Sequence, residues 1–168
     1  MEVPTTLEGL TELLRKLGAP HPEKWASSQL KERIPQLQRF LFLREAWKQI
    51  IPDNNHGWMD SEIRRADAKP EAPYSGVGVA LKNCLALGVQ KDDLKEIVRG
   101  KQAQFLFALC QILDDPDLSE QEVKKLSWSL FQTDEEGNPL TAISGLHESV
   151  LETDPTGREM RPKTARGR

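Results

Sequence analysis

The stretch Ser75–Asp115 constrains the fold more than any other part of this chain. It holds two segments that are apolar on most sides, Gly76–Leu87 and Phe105–Leu113, joined by a short amphipathic segment, Asp92–Arg99. Apolar residues here recur at helical spacing, and no segment of the chain alternates convincingly as a strand does. The expectation is an all-α fold: a single-domain irregular helical bundle of about six to eight helices around two buried central helices. The helical domain is expected to span residues 1–153, with an internal loop within 66–74. Residues 154–168 are expected to form a basic, mobile C-terminal tail.

The N-terminal half is well punctuated. Thr5 and Glu8 have the spacing of a capping box, and Leu7, Leu10, Leu14 and Leu17 follow on one stripe. Gly18 supplies a left-handed stop and Pro20 prevents continuation. A second helix is expected over Pro22–Ile34 with Trp25 and Leu30 inward. A third is expected over Leu37–Ile51, where Phe40, Leu43, Trp47, Ile50 and Ile51 share a face and Phe42 points nearly the other way. Pro52-Asp53-Asn54-Asn55 ends it. A short helix is expected within His56–Arg65, and Ala66–Pro73 reads as the best internal loop.

Further along, Gly88 is placed to stop the Gly76–Leu87 helix, and Asp92 and Asp93 suit the positive end of the next one. Gly100 is expected to turn the chain into the Phe105–Leu113 helix. Ser119 and Glu122 form a second capping box before Val123, Leu126, Leu130 and Phe131, which predicts a further helix. Asp134–Pro139 reads as an acidic turn, and Leu140–Leu151 as a last short helix or irregular cover.

Charge and cysteine usage narrow the function. The net charge is −3, yet residues 158–168 hold five Arg or Lys against one Glu, so an acidic body carries a basic end. An acidic body disfavours broad binding to nucleic acid or to an anionic membrane, since both need a basic field. The basic end contains no aromatic side chain to stack on bases. Only Cys84 and Cys110 occur, each within an apolar helical segment, which fits buried thiols in a reducing compartment. With no leader-like N-terminus and no apolar run of membrane-spanning length, the expected location is cytoplasmic.

Candidate chemistry is thin. Gly76-Val77-Gly78 precedes a helix, but Leu81 stands where a dinucleotide fingerprint needs a third small residue, so close helix packing is the better reading. His147-Glu148 starts a zinc-protease pattern that Leu151 breaks. Around Gly137 a calcium loop would need an acidic first ligand where Gln132 stands. No cofactor and no metal site are expected. Neither cysteine has the basic surroundings that activate a thiol. The most interesting polar region is His56, Trp58, Asp60, Glu62, Arg64 and Arg65, with Tyr74 after the loop, because Trp and Arg commonly anchor interfaces. The competing reading packs Trp58 inward as a lid on the core. These features lead to a non-enzymatic protein-interaction module whose partner is another protein: an adaptor, regulator or immunity-like protein. The alternatives are a small enzyme or ligand-binding protein with a site between helices, and a nucleic-acid-associated regulator using the basic end.

Overall fold

A computed structural model describes residues 3–163, and in it the chain is mostly helical with one small antiparallel sheet. The described elements are α1 (Leu7–Lys16), α2 (Pro22–Glu32), α3 (Gln36–Trp47), α4 (Gly57–Ala68), α5 (Ser75–Ala86), α6 (Lys91–Asp114), β1 (Leu130–Thr133), β2 (Pro139–Ile143) and α7 (Leu146–Ser149). The chain divides into two compact units. One holds the chain up to Trp47 and again from Phe105 onward; the other is Lys48–Gln104. No described helix is long and apolar enough to cross a membrane.

In the first unit α1, α2 and α3 enclose a core of Leu10, Leu14, Ala19, Trp25, Ala26, Leu37 and Phe40. Trp25 and Phe40 meet edge to face, with ring centroids 5.8 Å apart, a geometry that the aromatic quadrupoles favour. The cap of α1 is Thr6, whose hydroxyl accepts from Gly9 N at 3.2 Å, and not Thr5. The helix starts one residue later than the capping-box spacing suggested. Its stop is as expected. Gly18 takes φ +84°, with Gly18 N donating to Arg15 O and Ala19 N to Leu14 O, the paired bonds that close a helix around a left-handed residue. Of the α1 stripe, Leu10 and Leu14 are buried and Leu7 is exposed; on α2, Trp25 is buried and Leu30 is exposed. Phe42 on α3 is half-buried.

The helix expected after Ser119 does not form. Residues 121–125 make only a turn, and the chain then runs extended into β1. Trp128 Nε1 donates to Ile112 O at 2.8 Å, tying the segment to the end of α6. β1 pairs with β2 from Leu130↔Ile143 to Thr133↔Pro139, with an irregularity between Gln132 and Thr133. The acidic turn closes this hairpin: Asp134 accepts from the backbone and side-chain nitrogens of Asn138, while Gly137 takes φ +87°. These bonds from Asn138 hold the Asp134 carboxyl below its ordinary range. Thus β2 takes the first four residues of the segment read as a last short helix or irregular cover, and the helix that follows, α7, is a single turn. Past α7, Asp154 is buried and accepts from Thr156 N, Thr156 Oγ1 and Met160 N. Residues 164–168 of the basic end lie outside the described residues.

In the second unit Met59, Leu81 and Leu94 form a core, with Trp58, Ile63, Cys84 and Leu85 against it. Helix α4 extends to Ala68, into the segment read as loop, because Ala66 is buried against α5. At Gly78 a Cβ would stand 2.3 Å from Glu62 O and 2.6 Å from Ala66 Cβ. The absence of a side chain is what lets α4 and α5 touch, the close-packing role read from the sequence. Gly88, at φ +84°, ends α5 as expected.

Two expectations about the centre are corrected. Gly100 does not turn the chain: α6 is one 24-residue helix, since a single helical glycine costs only about 1 kcal/mol. Nor are the two apolar segments buried all round. On α5, Ser75, Gly78 and Leu81 are buried while Val77, Val79 and Leu87 are exposed. On α6, Ala103, Leu106 and Cys110 are buried while Phe105, Leu109 and Ile112 are exposed. Each helix covers one stripe, so apolar content exceeded what the fold encloses.

Gly78→Ala is expected to lower stability by about 1–3 kcal/mol, since backbone must move to admit the methyl group. Gly76, whose Cβ would meet nothing within 4 Å, should tolerate alanine within about 1 kcal/mol. Urea unfolding of both variants measures the difference; equal stabilities would contradict the close approach.

Candidate functional site

The residues singled out on α4 all lie in the second unit, but they do not converge on one point. His56 Nε2 lies 3.1 Å from Asp92 Oδ1, and Lys91 Nζ lies 3.5 Å from Asp60 Oδ1. Glu62 pairs with Arg65 along α4, and Arg64 Nη2 donates to Ser61 Oγ at 3.2 Å. Tyr74 is exposed and holds a left-handed φ of 69° just before α5. Trp58 packs against the Met59–Leu81–Leu94 core, and its buried Nε1 has no hydrogen-bond partner.

The same unit holds a buried cation that the sequence did not signal. Lys95 is almost fully buried, and its ammonium donates to Asp92 Oδ1 at 2.7 Å. Asp92 itself is largely exposed. Bonds from Lys95 and then His56 hold its carboxyl below the ordinary Asp range. A carboxyl with a depressed folded pKa contributes stability above its unfolded value, and that contribution is lost as pH falls through the folded value. The Asp92 carboxyl, followed by NMR, is therefore expected to titrate below about 3.9, and Asp92→Asn should abolish the acid-side loss of stability that it causes. A midpoint at or above the ordinary value would contradict the Lys95 contact.

A denser set of polar contacts occurs in the first unit, where α3 meets the segment 145–153. Trp47 Nε1 donates to Val150 O at 3.0 Å and to Thr153 Oγ1 at 3.2 Å. Two turns earlier on α3, the Arg39 side chain is only 8% exposed. Its Nη1 donates to Ser149 Oγ at 3.4 Å and lies 4.0 Å from Glu148 Oε2. Burial pushes the Arg39 pKa down, and the charges of Glu148, Asp114 and Glu152 pull it back up. Gly145 makes room for this guanidinium: at φ +69°, its Cβ would stand 2.4 Å from Arg39 Nη2.

Asp114, the last residue of α6, holds the other side of α7. Its buried carboxylate accepts through Oδ2 from the His147 backbone N at 2.9 Å and from His147 Nδ1 at 2.6 Å. Phe107 stands edge-on to the imidazole, with ring centroids 6.0 Å apart. The ring is partly exposed, and its Nδ1 faces the carboxylate. Ser149 bonds to Arg39 rather than to His147. Cys110, one turn before Asp114, is fully buried, and burial pushes its thiol up to about 12. It stays protonated and serves as a core residue. Among the described residues, no group of three or more His, Cys, Asp or Glu side chains is placed to hold a metal ion.

Beside Arg39 lies a pocket of about 340 Å³. Helix α2 contributes Lys24, Trp25 and Ser28; α3 contributes Gln36 and Arg39; Glu148, Ser149 and Glu152 close the far wall. Its size is at the lower end of ligand pockets. The sequence marks His147 and Glu148, but gives no sign that Arg39 is the buried group facing them.

No family model, curated protein or solved structure matches the chain.

Proposed function

We propose that this protein is a protein-interaction module, an adaptor, regulator or immunity-like protein working in a cytoplasmic setting. One observation carries the reading. Phe105, Leu109 and Ile112 lie on one stripe of α6 at spacings of four and three residues, and they are 70%, 39% and 53% exposed. Trp128, held to Ile112 O, extends this apolar patch and is itself substantially exposed. Together the four side chains leave a run of apolar surface open to water, a feature that is often functional. A stripe of this spacing suits an apolar helix or groove on the partner. The α4 group around Trp58 and Tyr74 remains a second candidate contact surface. The two free thiols, Cys84 and Cys110, suit a reducing compartment.

A second reading, a ligand-binding protein or small enzyme with its site between helices, is favoured by the pocket at Arg39 and by the Asp114–His147 pair beyond it. Asp114 fixes the ring of His147, a requirement for a general base.

Phe105→Ser combined with Ile112→Ser tests the interaction reading. Both side chains are largely exposed, so thermal unfolding should move little. A partner captured stoichiometrically by tagged wild-type protein at moderate salt should be lost from the double variant. Capture undiminished by the substitutions would exclude this stripe as the contact surface.

A further inference from the structure

We propose that the pocket between α2, α3 and α7 binds a small zwitterion, an α-amino acid in its chemical class, with the carboxylate directed to Arg39 and the ammonium to Glu148 and Glu152. This inference rests on the ligand-site reading and is independent of the α6 stripe.

The argument begins with unmet hydrogen bonds. Arg39 and Gln36 both line the pocket and are both at least nine-tenths buried. Arg39 Nε is a buried donor without a partner, and Gln36 Oε1 is a buried acceptor without one. Gln36 Nε2, by contrast, donates to Ser28 Oγ at 2.8 Å, which fixes the amide. Buried polar groups are normally satisfied, so two lining residues that each keep an unmet polar atom gain from a polar ligand once their side chains turn toward it. The guanidinium is also weakly neutralised: its contacts to Ser149 and Glu148 are long, whereas a guanidinium–carboxylate pair usually closes to about 2.8 Å.

Charge then selects the ligand class. Lys24 and Arg39 are balanced by Glu148 and Glu152, so the lining carries no net charge. A bare anion reaching Arg39 would face two carboxylates, and a bare cation reaching those would face Arg39 and Lys24. A ligand carrying both charges, with its ammonium next to its carboxylate, satisfies each end. It also offers an acceptor to the arginine and a donor to the Gln36 side chain. Trp25 contributes an aromatic wall that can cover an apolar substituent. Glu148 is mostly exposed, so its side chain is free to move from its 4.0 Å position by Arg39 when a ligand carboxylate arrives.

The test measures binding of the twenty standard amino acids to the full-length protein by thermal shift and calorimetry. Beside each binder run two truncated analogues, the matching carboxylic acid without its amino group and the matching amine without its carboxylate. At least one amino acid should raise the melting temperature saturably, with both analogues weaker by about tenfold or more. Lys24→Gln and Glu152→Gln, exposed at the pocket rim, should each weaken binding, and Lys24→Gln should leave the unliganded melting temperature unchanged. Arg39→Lys should abolish binding, and the rim variants preserve the test should that variant unfold. If the carboxylic acid binds as well as the amino acid, the zwitterion class is wrong and the ligand-site reading stands. If no amino acid binds, the proposal is overturned and Arg39 serves only to hold α7.

Discussion

A guanidinium buried in the first unit links its two chain segments. Arg39 is carried by α3, within the helical hairpins of the N-terminal part, yet its contacts are Ser149, Glu148 and the face of Gly145, more than a hundred residues later. Trp47 repeats this link two turns along the same helix. Burying a cation is costly unless it is well paired. The long Arg39 contacts show that the pairing within the chain is incomplete.

Position on α7 has chemical consequences. Three consecutive side chains reach two partners: His147 bonds to Asp114, while Glu148 and Ser149 both face Arg39. The imidazole and the pocket are thus held by neighbouring residues of one helical turn. The exposed stripe on α6 has a different origin. That helix buries Leu106 and Cys110 and leaves Phe105, Leu109 and Ile112 uncovered. From Phe105 onward it carries more apolar surface than the first unit encloses.

The sequence revealed features whose causes are local. The stops at Gly18 and Gly88 depend only on a few backbone bonds around a left-handed residue. The Leu10–Leu14 stripe depends only on helical spacing, and the tight approach at Gly78 follows from the missing side chain. The acidic turn at Asp134 was legible for the same reason. Less was visible where tertiary contacts decide. Leu130 and Phe131 fit a helical stripe as well as a strand, and pairing with β2 settled the matter. Gly100 offered a break that the rest of α6 overrode. Periodicity showed that Phe105–Leu113 is apolar but not which side is covered. Of the site, His147 was noticed for a metal pattern it does not complete, and its partner Asp114 was read only as part of a helix end. Arg39 gave no signal, because an arginine between apolar residues on a helix is ordinarily solvated, and its burial depends on a segment distant in sequence.

Amide hydrogen exchange on Arg39→Met compared with wild type tests the central claim, that α3 holds the 145–153 segment through this side chain, most directly. Methionine keeps much of the apolar bulk and removes the bonds to Ser149 and Glu148. The account predicts faster exchange at Val150, Thr153 and Asp154, whose amides bond within this segment, with protection in α1 and α2 retained. Unchanged exchange at those three amides would contradict it, and would mean that Trp47 and Asp114 hold the segment without Arg39.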